Sequence, residues 1–383
     1  MIDRPFWRAR LKNAWKRAPI AWLSGVRRVG KTTLAKSLDG ARYVNCDLPR
    51  HRQSLEDPEY FFANVTEETV ILDEVHKLTD PSTILKIAAD EFSHLKVLAT
   101  GSSTLAATQK FKDSLTGRKR SIHLVPVLIS ELSSFGKIPL EDRLYRGGLP
   151  QRVLDDSDDP EFYSEWLDSY FARDIQELFR VNKRSEFLRM AELLMRRNGS
   201  LLETTSLSKE TLLTRPTVNS YLEILETTHM IRRIRPFHGG GRREILSQPK
   251  CYAFDTGFVV HNSGWRELRS RDCGNLLENL VLDELEAKLH SLSVHYWRDK
   301  QKREIDFVIP GRNGTCQAIE CKWNASKFDS RNLNAFRSLY PKGANIVVSN
   351  ISIPPHTRRM DRFEITFTAP SNLTDILSKL ATR

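Results

Sequence analysis

Gly25-Val26-Arg27-Arg28-Val29-Gly30-Lys31-Thr32 has the spacing GxxxxGK[ST], and those residue types at that spacing grip phosphate. The glycines let the backbone curl until its N–H groups point inward at an anion. Lys31 reaches the outer phosphates of a nucleoside triphosphate, and the Thr32 hydroxyl ligates Mg²⁺. Thr33 follows where a helix N-terminus adds partial positive charge. The elements needed to hold this loop flank it. Pro19 to Ser24 is an apolar run short enough for a buried strand, and Thr33 to Leu38 reads as the first turns of a helix.

A second motif supplies the acids. Thr69-Val70-Ile71-Leu72-Asp73-Glu74 is an apolar run that ends in two carboxylates. Such runs are buried parallel strands, whose carboxyl ends face ligands. Asp73 is placed to hold the Mg²⁺ shell, and Glu74 to polarise a water for in-line attack on the γ-phosphate. The adjacent pair favours hydrolysis over transfer to a small acceptor. A third strand, Leu95 to Thr100, runs into Gly101-Ser102-Ser103, and Thr100 and Ser102 are the candidates for sensing the γ-phosphate. Arg118, after Gly117, is a candidate arginine finger. Lys119 and Arg120 beside it leave the choice of cation open, and a surface arginine after a turn glycine is the plain alternative.

The chain has 383 residues, 40% of them hydrophobic, which gives room for two or three domains. No apolar run is long enough to span a bilayer, and no secretory signal is read at the start. Residues 1–18 are basic and aromatic, and read as a packed first helix. Cys46, Cys251, Cys273, Cys316 and Cys321 form no CxxC pair, so neither zinc nor a disulfide framework is indicated and a reducing, cytoplasmic setting is expected. The formal net charge of +11 suits a polyanionic partner.

Beyond the acidic stretch Asp155 to Asp159, apolar residues from Phe162 to Phe179 recur at helical spacing, as a small helical lid would. Helices over Phe187–Leu194 and Leu207–Leu213, a third opened by Arg215-Pro216-Thr217, and strands over Met230–Arg235 and Glu244–Phe254 around Gly239-Gly240-Gly241 compose a winged helix-turn-helix. Its exposed recognition positions are Thr217, Asn219 and Ser220. Arg232, Arg233, Arg235, Arg242 and Arg243 form a patch for DNA phosphates. A protein-contact module with a solvated arginine face is the alternative.

The C-terminal part holds separate chemistry. A helix over Gly274–Leu289 bears Glu278. A hairpin of Val294–Arg298 and Glu304–Ile309 bears Asp306, and a strand over Cys316–Lys322 bears Glu320-Cys321-Lys322. A helix (Arg331–Leu339) and a strand (Ala344–Ser349) complete the order α-β-β-β-α-β of the PD-(D/E)xK nuclease core. Side chains two apart on a strand share a face, so Glu320 and Lys322 point together. Glu278, Asp306 and Glu320 make a hard oxygen site for Mg²⁺ or Mn²⁺. Lys322 would orient the attacking water or balance charge. A nuclease-shaped domain without activity is the alternative.

With these motifs in place, the chain resembles prokaryotic AAA+-like ATPases that join a P-loop domain, a winged helix and a PD-(D/E)xK-like C-terminal domain. The resemblance rests on Gly25–Thr32, Val70–Glu74, Thr100–Ser103, Gly117-Arg118, Gly147-Gly148-Leu149-Pro150, Pro249 to Gly257, Glu278-Asn279, Glu304 to Phe307 and Glu320-Cys321-Lys322. Ile305 rather than proline precedes Asp306. The expected fold class is α/β: an AAA+-like P-loop parallel-sheet domain (1–150), a helical lid (151–184), a winged helix-turn-helix (185–262) and a PD-(D/E)xK-like α/β domain (270–383). The expected cofactors are ATP and Mg²⁺, with Mn²⁺ an option at the C-terminal site. DNA is the expected partner, and a homo-oligomer, ring or dimer, would let Arg118 act on a neighbour's nucleotide. The expected function is ATP hydrolysis coupled to action on DNA. The alternative is an ATP-controlled switch with an inert nuclease-like domain. A small-molecule kinase is disfavoured for want of an acceptor site.

Overall fold

The computed structural model describes residues 2–101, 109–155, 157, 159, 161–176, 179, 181, 183–239, 248–289 and 293–381. The chain divides into two compact units. The first is Met1–Val125 with Asp168–Asn182 and Thr227–Met230; the second is Pro126–Leu167, Lys183–Glu226 and Ile231–Arg383. The first unit is therefore discontinuous in sequence.

Five strands build the sheet of the first unit: β1 (Ile20–Ser24), β2 (Ala41–Asn45), β3 (Thr69–Asp73), β4 (Lys96–Thr100) and β5 (Lys119–His123), in the order β2-β3-β4-β1-β5. All are parallel. β1 is buried along its whole length, because helices cover both faces of such a sheet. Val70, Ile71 and Leu72 of β3 are buried as well. Trp22 meets Phe111 edge to face at 4.8 Å, within a core that includes Phe62, Leu72 and Leu85. The register pairs Leu23 with Thr100, Ser24 with His123, and Asn45 with Asp73. The carboxyl ends of five strands thus align at one edge, where ligands of open α/β sheets sit. The basic N-terminal stretch is a helix, Pro5–Trp15, that buries Trp7, Leu11 and Ala14. Its Trp15 indole donates to Val97 O at 3.0 Å.

The expected lid helix is shorter than its periodicity suggests. It runs Glu161–Tyr170 and then widens into a π-helical segment, Phe171–Gln176. Insertions of this kind occur often at functional positions.

The second unit holds two sheets. Strands β6 (Ser200–Leu201), β7 (Ile231–Ile234) and β8 (Lys250–Ala253) form an antiparallel sheet in the order β6-β8-β7. The helices Arg184–Arg196, Thr204–Thr211 and Arg215–Thr227 precede β7. The amphipathic third helix buries Val218, Tyr221, Leu222, Ile224 and Leu225. The expected strand over 244–254 is observed only as β8, since residues 240–247 lie outside the described set. The larger sheet comprises β9 (His295–Arg298), β10 (Glu304–Pro310), β11 (Cys316–Cys321), β12 (Asn345–Val348), β13 (His356–Met360) and β14 (Phe363–Thr368), in the order β13-β14-β12-β11-β10-β9. The β13-β14 hairpin extends the sheet past the last strand anticipated from sequence. All five cysteines are free and buried. Among the described residues, no helix is long and apolar enough to cross a membrane.

Candidate functional site

The cradle forms where β1 gives way to the helix Lys31–Lys36. Gly25 has φ 149° and Gly30 has φ 100°, angles that side chains resist. A Cβ on Gly25 would stand 2.5 Å from Leu124 O. Val26 and Val29 are buried and anchor the loop from below, while the Arg4 guanidinium donates to Val29 O at 3.2 Å. Lys31 Nζ donates to Gly25 O at 2.8 Å and Val26 O at 3.1 Å. The ammonium therefore lies across the mouth of its own loop, and burial pulls its pKa down. Arg27 pairs with Asp174 of the π-helical segment at 3.2 Å. His123, at the end of β5, packs against His229 with the rings tilted by 38° and centroids 3.9 Å apart. Burial first, and the charge of Lys31 second, push His229 down to about 4.

Asp73 closes the site from β3. It is 2% exposed, and hydroxyls from three elements donate to it: Thr32 at 2.9 Å, Tyr43 at 2.7 Å, and Thr100. The Thr32 hydroxyl and the Asp73 carboxylate are two hard oxygens already in contact, a donor set that fits Mg²⁺. Thr100 does more than its sequence position suggested. Its Oγ1 also accepts from Glu74 N at 3.0 Å, so it stabilises the bend after β3, where Glu74 takes φ 61°. The hydroxyl is thus committed to Asp73 and Glu74. Ser102, the other sensor candidate, lies outside the described residues. Glu74 stands 3.2 Å from His76 Nδ1, and burial raises its pKa.

Arg118 stands elsewhere. It immediately precedes β5, whose Lys119 pairs with Ile20 at the start of β1. The P-loop follows the end of β1, so a full strand, roughly 16 Å at strand rise, separates Arg118 from its own cradle. There the guanidinium makes a two-pronged pair with Asp90, at 2.5 and 2.9 Å.

Residues 17–133 match the AAA domain. The P-loop unit is an ATPase fold of the AAA type. Two further stretches match families described as domains of unknown function, DUF8612 over residues 138–269 and DUF4143 over residues 273–366. An uncharacterised protein of Mycobacterium tuberculosis is 27% identical over 350 residues, spanning 88% of this chain and 77% of its own length. One of Haemophilus influenzae is 23% identical over 321 residues, spanning 75% and 78%. Among solved structures, the Walker-type ATPase of Pyrococcus abyssi aligns over 68% of this chain and 96% of its own, at 15% identity and a TM-score of 0.45. AMPPCP-bound DnaA from Aquifex aeolicus aligns over 57% and 85%, at 13% identity and a TM-score of 0.29.

Beyond the AAA domain, several expected residues have structural employment. Arg232 is not a surface residue of a basic patch. Its guanidinium is held by Asp283 at 2.5 Å and Glu286 at 3.3 Å, and it donates to Ala253 O at 2.8 Å. Arg233 donates to Glu226 at 2.8 Å. Arg235 is exposed, and Arg242 and Arg243 lie outside the described residues. Asn219 and Ser220 are exposed on the Arg215–Thr227 helix, whereas Thr217 is partly buried and its hydroxyl bonds that of Thr214 at 2.8 Å. The Gly147-Gly148 turn is a seat for buried charge. Asp255 accepts from Gly148 N at 2.6 Å, and a Cβ on Gly148 would lie 2.0 Å from the Arg143 guanidinium.

The larger sheet does gather Glu278, Asp306, Glu320 and Lys322. Lys322 Nζ donates to Glu320 at 2.7 Å and lies 3.7 Å from Asp306. Asp306 also accepts from Cys321 N at 2.8 Å. Burial, followed by the charge of Asp306, pushes both Glu278 and Glu320 up to about 7. One residue in this cluster escaped sequence reasoning. Lys250, only 4% exposed, pairs with Glu304 and approaches Glu278 to 3.7 Å. Tyr252 donates to the same Glu278 oxygen at 2.7 Å. Among the described residues, no group of three or more His, Cys, Asp or Glu is arranged to hold a metal ion.

Proposed function

We propose that this chain binds ATP with Mg²⁺ in the Gly25–Thr33 loop and hydrolyses it, and that the nucleotide state governs its grip on DNA. In this reading Lys31 turns from the loop carbonyls to the β- and γ-phosphates. Thr32 and Asp73 would hold Mg²⁺, which neutralises phosphate charge when bound. Glu74 orients the attacking water and accepts its proton. The observation that carries the reading is the contact between the Thr32 hydroxyl and Asp73 at 2.9 Å, beside a lysine poised over the loop. Titration of the chain with a fluorescent ATP analogue and Mg²⁺ tests it. Saturable binding displaced by ATP is expected, and no measurable affinity overturns the proposal.

The three helices and the β6-β8-β7 sheet support a winged-helix reading of residues 185–262. Their order, helix-strand-helix-helix-strand-strand, is the order that reading requires. DNA contact then falls to Asn219, Ser220 and Arg235, with backbone charge giving salt-sensitive binding. Arg118 belongs to this scheme only between subunits, since it stands a strand's length from its own cradle. The α-β-β-β-α-β order of the C-terminal part supports a nuclease-like fold. The placement of Lys250 among the acids favours the reading in which that fold does not cut DNA.

A further inference from the structure

The carboxylates gathered beside the C-terminal sheet already face cations of the chain itself. Glu278, Glu304, Asp306 and Glu320 meet Lys250, Arg298 and Lys322, four acids against three bases. Lys322 was expected there. Lys250 comes from another element, β8 of the small sheet. Two bonds fix its strand beside the acids: Asn279, next to Glu278 on the same helix, donates to Ala253 O at 2.8 Å, and Tyr296 donates to Gln248 O at 2.6 Å. The Lys250 ammonium lies 6.0 Å from the Tyr252 ring centre and 5.7 Å from that of Tyr296, a favourable setting for a cation.

A divalent cation would need several of these oxygens at once. Glu278 Oε2 already accepts from Tyr252 and faces Lys250. Asp306 Oδ2 already accepts from Cys321 N. Glu320 Oε1 is buried without a hydrogen-bond partner, and Lys322 already holds the other oxygen of that carboxylate. Loading a metal would also place a second positive charge against an ammonium on a side chain only 5% exposed, where water screens little.

We propose that Lys250 is the resident counter-ion of this cluster: its ammonium takes the place a divalent cation would need beside Glu278, so the chain does not load Mg²⁺ or Mn²⁺ there. The inference rests on the nuclease-like arrangement of Glu278, Asp306 and Glu320, but not on any cleavage activity.

Mn²⁺ binding tests it directly, followed by electron paramagnetic resonance on the full chain without nucleotide or DNA. Parent and Lys250→Arg are expected to show no Mn²⁺ binding that Glu320→Gln removes. Lys250→Met is expected to bind Mn²⁺ at least about ten-fold more tightly, as removal of one unit charge at contact distance allows. That gain should vanish when Glu320→Gln is added. Equal binding by parent and Lys250→Met overturns the proposal, as does a gain indifferent to Glu320→Gln. If Lys250→Met does not fold, thermal unfolding of the parent decides. A Mn²⁺-dependent rise in Tm that Glu320→Gln abolishes overturns it, and no rise upholds it. DNA cleavage is scored separately, so failure of the nuclease-like reading and failure of this inference give different results.

Discussion

Thr100 and Glu74 are joined by a hydrogen bond at 3.0 Å from the backbone N–H of Glu74 to the threonine hydroxyl, and the same hydroxyl donates to Asp73. One side chain at the end of β4 thus sets both acids at the end of β3. Thr100→Val keeps the shape and removes the hydroxyl. It should destabilise the AAA domain by about 1–3 kcal/mol, because buried Asp73 loses a donor. It should also lower kcat more than it raises KM for ATP. Urea unfolding and steady-state kinetics read the two effects, and an unchanged kcat would show that Glu74 does not need this bend.

Lys31→Ala should abolish detectable ATP binding. Glu74→Gln should bind ATP normally and hydrolyse it on the order of 10²-fold to 10⁴-fold more slowly. Equilibrium binding and single-turnover hydrolysis separate the cases. Hydrolysis by Glu74→Gln at the parental rate removes Glu74 from the role of base.

Burial sets the Glu74 carboxyl above its usual range, which gives a pH signature. The base must be ionised, so hydrolysis should rise with pH through that elevated pKa. Folding responds in the opposite sense. Between the unfolded value of about 4.3 and the raised folded one, the native state holds more protons, so this residue's contribution to stability declines as pH rises. A pH–kcat profile whose acid limb sits at the ordinary glutamate value of about 4.3 would contradict the assignment.

Arg118 calls for a mixing experiment. Alone, Arg118→Ala should retain ATP affinity and lose turnover, by about 10³-fold or more if it stabilises transition-state charge. Mixed with Lys31→Ala chains, it should recover part of the rate, because each supplies what the other lacks across a subunit boundary. Parental turnover by Arg118→Ala would leave the residue as a surface partner of Asp90.

Arg232 and Arg235 should part company. Arg232→Ala leaves Asp283 buried without its close partner and should cost about 3–5 kcal/mol, read by thermal or denaturant unfolding. Arg235→Ala should leave stability unchanged, weaken DNA binding and reduce its salt slope by about one counterion. DNA affinity unmoved by Arg235→Ala would turn this face toward a protein partner.

What the sequence disclosed follows from range. Gly25 to Thr32 and Val70 to Glu74 are local patterns, and their spacing already places the loop and the two acids at the same end of the sheet. Tyr43, Thr100 and Asp174 reach the site through side chains from remote elements, and no local spacing points to them. Arg232 misleads in sequence because no acid interrupts Ile231 to Arg243. Its neutralising partners, Asp283 and Glu286, arrive some fifty positions later. The Gly147-Gly148 turn was visible as a motif but not as a seat for Arg143 and Asp255, because burial of charge is a tertiary property. Lys250 sits within the Pro249 to Gly257 motif, but nothing before β8 and the Glu278 helix meet reveals that its ammonium lies among acids.

The first unit is threaded rather than strung. Asp174 and His229, which meet Arg27 and His123, come from segments that the chain supplies only after Val125, and the stretch 183–226 is spliced between them. No single cut can therefore release this unit whole. A fragment stopping at residue 125 keeps every strand of the sheet yet forfeits Asp174 and His229, the side chains that brace the rim of the cradle, so proteolytic trimming of the middle would loosen that rim without touching one residue of Gly25 to Thr33.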